Sequence, residues 1–238
     1  MKIALIGYGK MGMAIEEIAV QKKHSIVLKI SIDNLEDNSI SNIRKADVAI
    51  EFTGPESAFE NIKKCIDAGV PVVCGSTGWL NRFQEIKNYC LEKKGALLYA
   101  SNFSIGVNLF FTINKKLAEL MLPFDEYDVS IREIHHTQKK DAPSGTAITI
   151  ADQILEKSNK KTRWQNEETK DPRVLTIISE RIGPTPGTHI VTYHSMIDDI
   201  EIRHTAHNRS GFAHGALLAA AFIQGKKGVF AMEDVLGL

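Results

Sequence analysis

The run EIHHTQKKDAPSGTA, from Glu133 to Ala147, gathers residue types that move protons and hold anions. Histidine titrates near neutrality and suits proton donation. Lys139, a few residues beyond the His135–His136 pair, offers a cation to a bound carboxylate. Asp141-Ala142-Pro143 imposes an extended entry, and Ser144-Gly145-Thr146 then opens a helix whose free N–H groups form an anion cradle. Gly145 removes side-chain bulk from that cradle. Neighbours on a strand point to opposite faces, so His135 and His136 do not read as a chelating pair. No H-x-x-x-H, H-E-x-x-H or cysteine cluster occurs, and no metal is expected. The chemistry implied is proton handling beside a small anionic molecule. Four other histidines (His189, His194, His204, His207) fall in strand-like runs, and Arg209 is a candidate carboxylate clamp or a plain surface residue.

A second constellation stands at the start of the chain. Gly7, Gly9 and Gly12 fit G-x-G-x-x-G directly after an apolar run. Such glycines serve a tight turn, close approach of backbone to pyrophosphate, and close helix–strand packing. Tyr8, Lys10 and Met11 stand between them, so the whole loop is read as cofactor-binding. Asp33 falls at the end of the second expected strand, where an acid accepts hydrogen bonds from an adenosine ribose. It disfavours a ribose 2′-phosphate, and no arginine follows it, yet Lys10 is placed to meet one. The cofactor is therefore NADH, NADPH or both. Two more loops end strands on the same sheet edge: Gly75-Ser76-Thr77-Gly78 and Ala100-Ser101-Asn102-Phe103. Their small and hydroxyl residues would let a nicotinamide approach backbone donors.

These loops need a scaffold. The first hundred residues alternate apolar β-branched runs with helical spacing, which predicts a Rossmann-like α/β domain: a parallel sheet with helices on both faces. Residue 107 onward changes rhythm. A helix over Val107–Met121, a strand over Tyr127–His135, a helix over Ser144–Leu155 and three late strand-like runs predict an α+β domain with a mostly antiparallel or mixed sheet. The polar stretch Lys157–Pro172 reads as an exposed excursion. The Ala/Leu-rich tail from Phe212 to Gln224 must pack on something, and the first domain is the natural place. The expected division is 1–104 with 210–238 for the dinucleotide, and 105–209 for substrate binding. Closure about Phe103–Gly106 and Arg209–Gly211 would bring the two sites together.

Composition narrows the class. The chain has 238 residues, 43% hydrophobic and 24% charged, as in ordinary globular proteins. Formal net charge is zero, which gives no hint of nucleic acid or an acidic membrane as partner. Three cysteines without a C-x-x-C suggest a reduced, cytoplasmic protein. The short N-terminal apolar run is broken by glycines and reads as a buried strand, not a signal peptide or membrane span.

Taken together these residues resemble one family. EIHHTQKKDAPSGTA is similar to the signature of 4-hydroxy-tetrahydrodipicolinate reductase (dihydrodipicolinate reductase), and IGYGKMG resembles its glycine loop, with Lys10 where arginine is common. EFTGPES, GSTG, ASNFSIGVN and NRSGFAHGA continue the resemblance along the chain. The resemblance implies NAD(P)H-dependent reduction of a small cyclic dicarboxylate in diaminopimelate and lysine biosynthesis. It implies that His135 exchanges the proton and Lys139 is a second catalytic donor. It further implies that His136, Gly145 and Thr146 hold the substrate, that Gly7–Gly12, Asp33, Gly75–Thr77 and Ala100–Phe103 hold the cofactor, and that the protein is a homotetramer, with 105–209 serving as the oligomerisation domain as well as the substrate-binding one. Two rival readings stand beside it: another NAD(P)-dependent dehydrogenase of a small anionic substrate, and a non-catalytic NAD-sensing protein. The second leaves His135, His136 and Lys139 without a task.

Overall fold

The computed structural model describes residues 1–208 and 210–238. In chain order the elements are β1 (Lys2–Ile6), α1 (Lys10–Gln21), β2 (Ser25–Ile30), α2 (Ile40–Ile43), β3 (Val48–Glu51), α3 (Ala58–Ala68), β4 (Val72–Cys74), α4 (Phe83–Glu92) and β5 (Ala96–Tyr99). Then follow α5 (Ile105–Met121), β6 (Asp128–His135), α6 (Gly145–Lys157), β7 (Arg163–Gln165), β8 (Val174–Arg181), β9 (Gly187–His194) and β10 (Asp199–Ala206). The chain closes with α7 (Ser210–Ile223), β11 (Gly228–Phe230) and α8 (Met232–Leu236). It divides into two compact units, Met1–Ile105 with Ser210–Leu238, and Gly106–Arg209.

The first unit is a six-stranded sheet in the order β11-β5-β4-β3-β1-β2, parallel throughout. β1 shows why its sequence carries no polar alternation. Ala4 and Ile6 join one core with Ile62 of α3 and Ile86 of α4, while Ile3 and Leu5 join another with Ile15 of α1 and Ala216 and Ala220 of α7. A strand covered on both faces must be apolar throughout. Strand order reverses between β2 and β3 on either side of β1, and ligands bind such sheets at the carboxyl ends flanking that reversal. β11 and α8 were not foreseen, because three-residue and five-residue elements are too short to display a period.

The second unit is a five-stranded sheet in the order β10-β9-β6-β8-β7. It is evenly mixed rather than mostly antiparallel: β6–β8 and β8–β7 run parallel, β6–β9 and β9–β10 antiparallel. The reason is the crossover. A strand, a helix and a returning strand in one sheet give parallel neighbours, and α6 lies between β6 and β8. α5 and α6 cover one face, where Phe110, Met121, Ile150 and Ile154 meet Val129, Ile131 and Val191. The polar stretch after α6 is not wholly an exposed excursion. It holds β7, and the Lys161 side chain is buried, its ammonium donating to Val174 O at 3.0 Å and pairing with Asp128 at 2.6 Å. A lysine's apolar stem tolerates burial when its head finds acceptors, which composition alone does not reveal.

Candidate active site

In the first unit, the loops after β1, β3 and β4 enclose a cleft of about 410 Å³ whose walls include Gly9, Lys10, Met11, Gly75, Ser76 and Thr77. Gly7 makes the turn at φ +97°, and a Cβ there would overlap the carbonyl of Phe52. A Cβ at Gly12 would press on the carbonyl of Gly7. Gly9 differs: a Cβ there meets nothing within 4 Å. The open space lies over the N-terminus of α1, whose free amides attract phosphate, so the residues present fit a dinucleotide pyrophosphate. The N–H groups of Gly7 and Tyr8 both donate to Ile30 O, at 3.0 and 2.7 Å, which ties the loop to the end of β2. Exposed Asp33 follows just beyond, its amide held by the Ser31 hydroxyl at 3.1 Å.

Several residues expected to hold the cofactor have structural tasks. The Tyr8 hydroxyl donates to Glu16, and Lys29 stands over the Tyr8 ring at 4.9 Å. A side chain at Gly75 would run into the Phe52 ring. The Ser76 hydroxyl accepts the Thr53 N–H at 2.8 Å. Phe103 is buried and packs on Phe52 with ring centroids 5.6 Å apart. Ala100, Ser101 and Asn102 follow β5 and are not among the cleft's walls. One anchor was missed altogether. Buried Glu51 accepts from the Thr53 amide at 3.1 Å, the Thr53 hydroxyl and the Cys74 thiol at 3.0 Å, joining the loops after β3 and β4. Burial, with Glu51 beside it, pushes the Cys74 thiol far up, so it is a structural thiol and not a nucleophile.

In the second unit the site grows from the alternation of β6. Val129 and Ile131 face the helices, and Glu133 and His135 continue the same buried face. Sheet register sets their neighbours: His189 of β9 stands opposite Glu133, and Arg181 of β8 opposite His135. Glu133 Oε2 lies 3.2 Å from His135 Nδ1 and 3.7 Å from His189 Nε2. Glu133 Oε1 accepts the Ser144 N–H at 3.0 Å and faces the Arg181 guanidinium at 3.3 Å. Ser144 caps α6 by accepting the Ala147 N–H at 3.2 Å and shares a hydrogen bond with His189 Nε2 at 3.2 Å. The amides of Gly145 and Thr146 open the helix and have no intrahelical acceptor. His135 and the helix cradle are thus brought together through one carboxylate.

Lys139 pairs with Asp141 at 2.8 Å, and Arg181 straps that loop by donating to Asp141 O at 2.6 Å. His136, next along the chain from His135, lines a hollow with Thr137, Gly183 and Pro184. The donor atoms of Glu133, His135 and His189 fall within 4.8 Å of one another, a spacing that admits one metal ion. The Arg181 cation on the same carboxylate opposes a second positive charge there. The sequence does not reveal that His189 and Arg181 join Glu133, because they reach it only through cross-strand register.

The cluster's charge state follows from burial. Burial favours a neutral Glu133, but the polar groups of His135, Ser144 and Ser179 around it outweigh that and hold the carboxyl well below its usual range. Burial, helped by the charge of His135, pushes His189 down from 6.5 to about 4. Below 6.5 the unfolded chain takes up a proton at His189 that the folded chain refuses until about 4. Stability present above 6.5 is therefore lost as pH falls through that window, by about 3 kcal/mol for a shift of this size. His189→Gln is expected to flatten the pH dependence of the thermal midpoint between 6.5 and about 4. An unchanged slope would assign the acid loss to other groups.

Two family models cover the chain: "Dihydrodipicolinate reductase, N-terminus" matches residues 1–103 and "Dihydrodipicolinate reductase, C-terminus" residues 106–236. The chain is 49% identical over 236 residues to 4-hydroxy-tetrahydrodipicolinate reductase of Christiangramia forsetii, covering 99% of this chain and 98% of that one. Identity to the reductase of the same name from Neisseria meningitidis is 33% over 230 residues, covering 94% and 84%. The solved structure of dipicolinate-bound dihydrodipicolinate reductase from Paenisporosarcina sp. TG-14 superposes with a TM-score of 0.77 at 25% identity, over 97% of both chains. A probable dehydrogenase from Thermotoga maritima shares the fold at 12% identity and a TM-score of 0.56, over 99% of this chain and 92% of that one. Glycine loop, histidine cluster and capped helix thus sit inside a match that runs through both units, and the chain belongs to the dihydrodipicolinate reductase family.

Proposed function

We propose that this chain catalyses the NAD(P)H-dependent reduction of 4-hydroxy-tetrahydrodipicolinate to tetrahydrodipicolinate, a step of diaminopimelate and lysine biosynthesis. The observation that carries the reading is the pairing of His135 with the N-terminus of α6 through Glu133, within a chain that matches its relatives almost end to end. When bound, NADH or NADPH supplies the hydride. The amides at the start of α1 take the pyrophosphate, and Asp33 takes the ribose hydroxyls. The Gly145 and Thr146 amides take one substrate carboxylate, and Lys139 exchanges Asp141 for the substrate. His136 adds a further contact to the substrate. His135 holds the proton that enters beside the new C–H bond. Ala100–Phe103 and Gly75–Thr77 lend backbone to the nicotinamide end.

The chain works in the cytoplasm as a homotetramer on this reading. Three buried, unpaired cysteines support a reducing compartment, and no helix among the described residues is long and apolar enough to cross a membrane. Met196 and Ile197, at the β9–β10 hairpin, are 98% and 86% exposed, and β10 is an open edge, features that association of copies would cover. Light scattering should return the mass of four chains, and a monomer at working concentration counts against it.

Steady-state oxidation of NADH and NADPH, with the freshly made heterocycle, tests the reaction. Absence of turnover with both cofactors, on folded protein, defeats the proposal. Asp33→Ala removes a charged acceptor for ribose hydroxyls, a contact worth ~1.5–3 kcal/mol. It is expected to raise the KM for NADH at least about tenfold and that for NADPH much less. Equal effects on both would remove Asp33 from the ribose.

A further inference from the structure

Glu133 is fully buried where β6, β8, β9 and the cap of α6 converge. Its two oxygens are used differently. Oε1 receives the Ser144 amide and faces Arg181. Oε2 and His135 Nδ1 lie 3.2 Å apart, and neither atom makes a hydrogen bond with any other described group, so each is the polar partner within reach of the other. A buried acceptor facing a buried ring nitrogen is satisfied only when that nitrogen carries a proton. We infer that Glu133 is the positioning residue of His135: its carboxylate takes the Nδ1 proton, fixes the ring tautomer, and leaves Nε2 as the atom that delivers a proton to the substrate. The inference rests on His135 being the acid.

The surroundings fit this division of the ring. His189 packs edge-on against His135 with centroids 5.1 Å apart, and burial keeps it neutral down to about 4, so it adds no competing charge. Gly187 has no side chain beside the other edge, where a Cβ would stand 3.0 Å from Nε2. The same carboxylate anchors the α6 cap, so proton donor and anion cradle share one support. Fixing both from one buried group limits the misplacement that proximity catalysis tolerates poorly. As an imidazolium, His135 would donate from Nε2 while Nδ1–H stays on Glu133. After transfer the ring is left neutral, with its remaining proton on Nδ1.

The test is the ¹⁵N shift pattern of the His135 ring in the full-length protein, assigned by difference with His135→Gln, together with kinetics of Glu133→Gln and Glu133→Asp. Wild type is expected to show the neutral ring protonated on Nδ1. Glu133→Gln places an amide NH₂ before that nitrogen and should drive the proton to Nε2. Its kcat should fall by about 10²-fold or more, towards the ~10⁴-fold seen when a catalytic imidazole is held in the wrong tautomer, with the substrate KM changing by less than about threefold. Glu133→Asp should keep the wild-type tautomer and recover part of kcat. A loss of folded protein in Glu133→Gln leaves the wild-type spectrum to decide, because an Nε2–H ring there overturns the inference. So does an unchanged tautomer in Glu133→Gln, or a metal-shifted Nδ1 that EDTA reverses. Wild-type turnover in His135→Gln with an Nδ1–H ring in the native protein has a different meaning: it removes His135 as the acid and leaves the geometry standing.

Discussion

His135→Gln is expected to lower kcat by about 10²–10⁴-fold, the range that general-acid help contributes. Gln fills a similar volume and keeps hydrogen-bonding capacity, but it cannot carry a proton at neutral pH. The cofactor loops belong to the other compact unit, so fluorescence titration should give an NADH dissociation constant within about twofold of wild type. Lys139→Ala should behave differently. Its ammonium already pairs with Asp141 at 2.8 Å, and such a solvent-accessible pair is worth only ~0–1 kcal/mol. A substrate carboxylate can take the ammonium over at small cost. Removing it should raise the substrate KM and lower kcat together. Wild-type kcat in His135→Gln ends the role given to the histidine. Unchanged kinetics in Lys139→Ala makes the lysine a surface residue.

The fold was legible where a physical period repeats. Two-sided burial makes β1 and β3 continuous apolar runs, and helical spacing marks α1, α3 and α6. The glycine loop was legible because its turn, at φ +97° for Gly7, excludes other residues. The direction of β8 follows from the strand–helix–strand crossover, which a run-by-run reading of the late strands does not weigh. β7 and β11 carry too few residues to show any period.

The candidate site was legible as residue types and illegible as partners. His135 and the α6 N-terminus announce themselves in sequence. What fixes them lies in register: Glu133 opposite His189, and His135 opposite Arg181, with intervening chain that reveals nothing of the pairing. The alternation that separates His135 from His136 also puts residue 133 on the imidazole's face, and what it cannot show is that the carboxylate there is met by β9 and by the cap of α6. The loops after β3 and β4 hid their function for the opposite reason. Ser76 and Gly75 look like ligand contacts and also serve Thr53 and Phe52, while Glu51 looks like the end of an apolar strand and joins two loops.

Two glycines are expected to separate function from folding, with large effects of opposite kind to a third. At Gly9 and Gly145 an added Cβ meets no atom within 4 Å beyond the neighbouring residues and, for Gly145, the local backbone of its own helix, and at Gly9 the backbone is extended (φ −92°, ψ −155°), which alanine adopts freely. Neither glycine is needed by the fold. Gly9→Ala should keep the thermal midpoint, yet its methyl would stand over the α1 amides where pyrophosphate must come close. NADH affinity should fall at least about tenfold, since one displaced charge-assisted hydrogen bond is worth ~1.5–3 kcal/mol. Gly145→Ala should hold or raise the midpoint, because alanine in a helix is favoured over glycine by ~1 kcal/mol, while the substrate KM climbs and NADH affinity stays. Gly7→Ala is the contrast. Its positive φ and the overlap with the Phe52 carbonyl strike at β1 and β3 themselves, so stability should drop by about 3 kcal/mol or more before any ligand is considered. Calorimetry with ligand titration on the three variants decides. If Gly9→Ala binds NADH as the wild type does, the space above that glycine is not where the dinucleotide lies, and the cofactor assignment of the whole loop falls with it.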